Sequence, residues 1–210
     1  MLTRIALLLS SLVAAPLLAQ APPPVPAAPM SAQEDLVPVA IDTSLGRIVV
    51  ALDRGRAPIT TANFLRYVDA HRFDGETFYR AMHVPGSGLI QAGVRSDIRK
   101  LYPPIQDEPT SKTGLHNVAG AISMARLGPN SAQADFFILV DNVPGFDAGA
   151  PGGDPDGFAA FGHVTAGMDV VKKIYDAPVS STKGEGAMRG QMLEPQVRIL
   201  KVSRLNASRP

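Results

Sequence analysis

The 210-residue sequence predicts a mainly β protein, an antiparallel barrel or sandwich, and three features carry that expectation. Short β-prone runs recur along the chain. Gly and Pro, 19 of each, separate them with loops. Only two stretches, beginning at Pro58 and Gly167, place apolar residues at helical spacing. A hydrophobic content of 45% over this length fills one core and leaves little for a second.

The first two strands, 39–43 and 47–52, read as a hairpin through Ser44-Leu45-Gly46. Pro58 then opens a helix. Proline suits a first helical turn, where its missing N–H costs nothing, and Phe64, Leu65, Tyr67 and Val68 supply an apolar face before an end at His71 or Arg72. Strands follow at 77–81, 88–92, 120–125, 136–140 and 157–164. A second helix, 167–175, has Asp169 near its start and Lys172 and Lys173 toward its end, the polarity a helix dipole favours. Val197, Ile199, Leu200 and Val202 pattern a last strand over 196–205. No internal repeat is present, and pattern alone does not choose between barrel and sandwich.

Residues 1–19 read as a secretory signal peptide, with Arg4, apolar runs at 5–9 and 12–18, and the small Ala19 before Gln20. Ser10, Ser11 and Pro16 interrupt the roughly twenty apolar residues that a membrane anchor would need. The chain has no cysteine, which closes the lipoprotein route and leaves an exported protein to rely on its core. Residues 20–36 form a linker in which Pro22, Pro23, Pro24, Pro26 and Pro29 favour extended polyproline geometry. A single domain over 37–206 and a tail of 207–210 complete the organisation. No later stretch is long and apolar enough to span a bilayer, so the expectation is a soluble, periplasmic mature protein. A net charge of +1 without a Lys/Arg run argues against a nucleic-acid partner.

The chemistry is concentrated in two stretches. Phe78-Tyr79-Arg80, followed by Leu89-Ile90-Gln91-Ala92-Gly93, sets a permanent cation among apolar residues. Gly120-Ala121-Ile122-Ser123-Met124-Ala125-Arg126, Gly128-Pro129-Asn130-Ser131 and Ala134-Asp135-Phe136-Phe137-Ile138-Leu139 make the second. Together, and in this order, they resemble the cyclophilin family of peptidyl-prolyl cis/trans isomerases over most of the chain, from about Val39 to Leu205. The resemblance implies a closed eight-stranded antiparallel barrel with one helix over each end. It implies Arg80 as the catalytic donor, with no cofactor and no metal. It places Leu89 and Gln91 in the proline groove, Ala125 and Arg126 along the edge that contacts substrate backbone, and Phe137 on the pocket floor. Adjacent strand residues face opposite sides, so Phe136 is left to the core. Phe158 stands where relatives carry histidine or tyrosine, and Phe146 near the aromatic that is tryptophan in members most sensitive to cyclosporin. With no Trp in the chain, weak cyclosporin binding is expected.

Three departures stand out. Arg80 and Gln91 are eleven residues apart, a few more than in common members. Gly86-Ser87-Gly88 occupies the place of an aromatic wall. Asp135 replaces a glutamine, which is expected to bring a carboxylate close to Arg80. Other chemistries lack their context. His71, His83, His116 and His163 show no zinc-ligand spacing. A relay of Ser123, His116 and an aspartate has no Gly-x-Ser-x-Gly around it, and His116 beside Asn117 reads more simply as a partner for local backbone. Gly149, Gly152 and Gly153 lack the lysine and helix of a phosphate loop. The sequence therefore points to an exported, monomeric isomerase acting on X-Pro bonds of unfolded or flexible polypeptides. A barrel that binds proline peptides without turning them over is the alternative, and an envelope scaffold subunit is a third.

Overall fold

The opening hairpin sets the pattern for the rest of the sheet. In the computed structural model, which describes residues 35–206, β1 (Leu36–Thr43) and β2 (Gly46–Asp53) pair antiparallel. Thr43 Oγ1 donates to the Gly46 carbonyl at 2.7 Å and accepts from Leu45 N at 3.1 Å, which closes the turn. The later strands are β3 (Thr77–Met82), β4 (Leu89–Gly93), β5 (Ala121–Met124), β6 (Phe136–Leu139), β7 (Ala160–Ala166), β8 (Val179–Ser180) and β9 (Met192–Arg204). They are joined in the order β1-β2-β7-β5-β6-β4-β3-β9, and β9 pairs back onto β1. Eight strands thus form a closed antiparallel barrel, which removes free edges from the ring. The short β8 pairs with β9 outside it.

The helices are α1 (Pro58–Asp69), α2 (Thr110–Thr113) and α3 (Met168–Tyr175). The sequence predicts two, so α2 is an addition: a single turn, ended by Gly114 at φ 69° and too short to show a periodic face. Helix α1 buries Phe64, Leu65, Tyr67 and Val68, and α3 buries Val170, Val171 and Ile174. They meet opposite ends of β2. Val170 packs against Gly46 at one end, and Thr61 Oγ1 donates to the Asp53 carbonyl, 3.2 Å away, at the other.

Alternation along the strands sends one set of side chains inward, and these fill the barrel. Phe64 lies 5.0 Å from Phe73, 5.2 Å from Phe136 and 5.4 Å from Phe161 between ring centroids. Around them Val39, Ile41, Ile48, Val50, Leu52, Phe78, Ile90, Ile122, Ile138, Ile199 and Val202 are buried in the same cluster. Each such side chain contributes about 1.5–3 kcal/mol by leaving water. The interior is therefore solid, and any ligand site must lie elsewhere. Among the described residues no helix is long and apolar enough to cross a membrane. The expected signal peptide, residues 20–34 of the linker and the tail 207–210 lie outside the described residues.

Candidate active site

The site begins where β3 breaks its alternation. Phe78 pairs with Ala92 and Arg80 with Gln91, so Tyr79 is an extra residue in the strand. A bulge of this kind re-aims the side chains next to it. Phe78 and Ala81 point into the core, while Tyr79, Arg80 and Met82 all reach a groove on the outer wall. With unbroken alternation Arg80 would follow Phe78 inward, a charge among apolar side chains.

The groove encloses about 760 Å³. It brings together every residue singled out from the sequence: Arg80, Leu89, Gln91, Ala125, Arg126, Asp135, Phe137, Phe146 and Phe158. Strand β4 supplies Leu89 and Gln91 on the outward side of Ile90, and β6 supplies Phe137 directly opposite Gln91. Phe136 goes inward, as alternation requires.

Arg80 is half-buried. Its Nε donates to Gln191 Oε1 at 2.8 Å, Nη1 to Gln91 Oε1 at 2.8 Å, and Nη2 to Met82 Sδ at 3.4 Å. Of the five guanidinium N–H groups, one on each terminal nitrogen then remains without a partner among the described residues. Burial lowers the Arg80 pKa from its ordinary value, but a guanidinium starts so high that it stays charged.

Three phenylalanines form the apolar part of the groove. Phe137 lies 5.5 Å from Phe158 and 5.7 Å from Phe146, both edge-on, and Phe146 lies 4.9 Å from Phe158. Such contacts add about 0.5–1.5 kcal/mol each beyond area burial. Phe146 ends a short 3₁₀ turn, Pro144–Phe146, Phe158 lies in the loop before β7, and the buried Asn117 holds both. Its Nδ2 donates to the carbonyls of Phe146 at 3.0 Å and Phe158 at 3.1 Å. Its Oδ1 accepts from Ser123 Oγ at 2.7 Å. His116 Nδ1 pairs with Asp147 Oδ2 at 2.7 Å, so Ser123 and His116 serve separate partners and make no relay. Arg126 turns its side chain, 3% exposed, away from the edge and binds Asp107 at 3.3 Å, Asp154 at 3.0 Å and the Gly157 carbonyl at 2.6 Å. It braces the segment that leads into Phe158.

Two expectations are corrected. Asp135 does not pair with Arg80. It lies beside Gly93, one step past the Phe136–Ala92 pair and two past Gln91, and its carboxylate fills the space a Gly93 side chain would take. There Tyr79 Oη donates to Oδ2 at 2.7 Å, and Arg95 Nη1 stands 3.7 Å away. Burial raises the Asp135 pKa and outweighs the lowering by Tyr79 and Arg95. Burial, with the nearby carboxylate, also pushes the Tyr79 hydroxyl far up. Gly88 is the second correction. It is not a missing groove wall but sits against Asp141 and Tyr175, where its N–H donates to Asp141 Oδ2 at 2.8 Å.

The groove also takes in Met82, Gln133, Leu127, Ala187 and Met188, none of which the sequence marks. Ala187, Met188 and the arginine's partner Gln191 come from the loop before β9. Its fold depends on distant pairing, and its one local signal is the glycine at each end, Gly184 and Gly190. Among the described residues no group of three His, Cys, Asp or Glu side chains gathers to hold a metal.

Comparison with known proteins agrees with this geometry. The family model described as cyclophilin type peptidyl-prolyl cis-trans isomerase/CLD matches residues 38–204. Peptidyl-prolyl cis-trans isomerase A of Dickeya dadantii is 37% identical over 139 residues, 65% of this chain and 70% of its own. Peptidyl-prolyl cis-trans isomerase cyp18 of Streptomyces antibioticus is 37% identical over 70% of this chain and 87% of its own. Peptidyl-prolyl cis-trans isomerase B of Escherichia coli is 33% identical over 65% and 82%. In fold, a cyclophilin type isomerase of Cryptosporidium parvum superposes with a TM-score of 0.65 at 18% identity, covering 82% of this chain and 99% of that one. The chain belongs to the cyclophilin family, and it is a peptidyl-prolyl cis-trans isomerase.

Proposed function

We propose that Arg80 is the catalytic donor and that the enzyme turns X-Pro bonds in unfolded or flexible polypeptides, assisting the folding of exported proteins as a monomer. A planar amide resists rotation by about 18–20 kcal/mol because the nitrogen lone pair is shared with the carbonyl. Rotation needs that sharing weakened and no bond broken. An N–H of Arg80 directed at the proline nitrogen draws on the lone pair as it localises, an interaction stronger in the twisted state than in either planar one. Phe137, Phe146, Phe158 and Leu89 grip the pyrrolidine ring, and the Ala125–Arg126 edge holds the backbone beside it.

The observation that carries this reading is a half-buried guanidinium held by neutral acceptors at the edge of an aromatic slot. Its donor strength is not spent on a carboxylate. The test is isomerisation of an Ala-Pro peptide by wild type and Arg80→Ala. Activity should fall by about two orders of magnitude, and a variant as active as wild type would reject Arg80. A non-catalytic binding barrel would draw support from a carboxylate on Arg80, and the Asp135 carboxylate is bound by Tyr79 instead. Wild type that binds the peptide yet leaves its exchange rate at the buffer value would favour that rival.

Export to the periplasm rests on the leader-like composition of residues 1–19, with the lipoprotein route closed by the lack of cysteine. Amino-terminal sequencing of a periplasmic fraction should begin at or near Gln20, and an intact Met1 on cytosolic protein would reject export. Weak cyclosporin affinity is expected because the chain has no tryptophan to stand at the pocket rim.

A further inference from the structure

Resting on the reading of Arg80 as donor, we propose that Gln191 is a positioning residue for isomerisation, and that the loop of residues 183–190 serves to keep it in place. Arginines on this protein commonly meet carboxylates: Arg47 binds Asp42, Arg54 binds Asp35, Arg126 binds Asp107 and Asp154, and Arg204 binds Asp69. Arg80 instead meets two amide oxygens, Gln91 on Nη1 and Gln191 on Nε, each at 2.8 Å. Without Gln191 the terminal nitrogens would keep Gln91 on Nη1 and only the weak thioether acceptor of Met82 on Nη2. Gln191 adds the one strong hold on Nε, and amide oxygens on two different nitrogens then fix the plane. Because both are neutral, they do so without cancelling the charge that the twisted amide requires.

Gln91 belongs to a barrel strand, but Gln191 has to be brought to Arg80 by other means. Its carbonyl accepts from Ala81 N at 2.9 Å, which sets its backbone beside the bulged strand. Its Nε2 donates to the Ala187 carbonyl at 2.9 Å, so the amide oxygen is the end turned toward Arg80. The loop is closed on itself by Met188 N to Glu185 O at 3.0 Å, Gly190 N to Lys183 O at 2.9 Å and Gln191 N to Met188 O at 3.1 Å. Ala187 and Met188 of the same loop line the groove. The segment that touches a bound peptide therefore also holds the arginine that acts on it.

The experiment compares Gln191→Met, Gln191→Glu, Arg80→Ala and wild type by NMR exchange on an Ala-Pro peptide, separating kcat from KM. In parallel, solvent exchange of the Arg80 Nε–H is followed by its ¹H–¹⁵N signal, assigned by its loss in Arg80→Lys. Gln191→Met keeps the length and replaces the amide oxygen with a thioether, a far weaker acceptor. It should lower kcat about tenfold, leave KM within about twofold, and speed Nε–H exchange about tenfold. Gln191→Glu keeps an acceptor oxygen and should retain slow exchange, a readout that still stands if Gln191→Met fails to fold. Unchanged kcat in Gln191→Met, a change in KM alone, or exchange as fast in Gln191→Glu as in Gln191→Met would overturn the positioning role. If Arg80→Ala is inactive while Gln191→Met keeps full kcat, only this inference falls. If Arg80→Ala is fully active, the reading beneath it falls as well.

Discussion

Asp135 is an acid in a place that suits its neutral form. Burial raises its pKa, Tyr79 and Arg95 pull it down less strongly, and Glu76 adds a small push upward. A carboxyl raised on folding costs stability only when ionised. The cost is absent below the ordinary carboxylate range near about pH 4 and is complete once pH has passed the folded value. Asp135→Asn removes the charge and keeps an acceptor for the Tyr79 hydroxyl. Its stability relative to wild type should therefore improve between pH 4 and pH 8 in urea denaturation, and a difference that stays constant or moves the other way would contradict the raised carboxyl. Single residues differ in how well their roles could be read from sequence. The opposite facing of Phe136 and Phe137 follows from alternation alone. Asp135's partner does not, because it depends on the extra residue at Tyr79 and on the room left by Gly93.

Helix α1 shows how an element can be completed by a residue far along the chain. Ala57 precedes Pro58 and has no side-chain oxygen to offer the first turn. The buried Glu108 supplies it, accepting from Ile59 N at 3.1 Å and Thr60 N at 2.7 Å, with its charge at the positive end of the helix dipole. Glu108→Ala should destabilise the domain by about 1–2 kcal/mol, with Glu108→Gln milder because one oxygen remains. Thermal denaturation of the three proteins checks the order. The helix itself was legible from Pro58 and its apolar face, but this cap was not, since nothing local links residue 108 to residue 59. The long strands were legible for the same reason as α1. The two-residue β8 and the one-turn α2 are shorter than any period that could reveal them. The loop that carries Gln191 takes its place from the Ala81 N–H on the Gln191 carbonyl and from the pairing of the next residues, Met192 and Leu193 of β9, with β8, which no local pattern encodes.

For the whole molecule, the sequence left barrel and sandwich open because the difference is one long-range pairing. Val39 meets Arg204 and Ile41 meets Val202, and these contacts between the first and last strands close the ring. Family motifs pointed to closure where periodicity could not. Once closed, the ring is packed with aromatic and aliphatic side chains to its axis, and the groove is left on its flank. A polypeptide therefore has no tunnel to thread. With the groove as the proposed site, a substrate is laid sideways against the wall, so a proline hundreds of residues from either terminus is as reachable as one at a free end, provided its own stretch of chain stands clear of neighbouring structure.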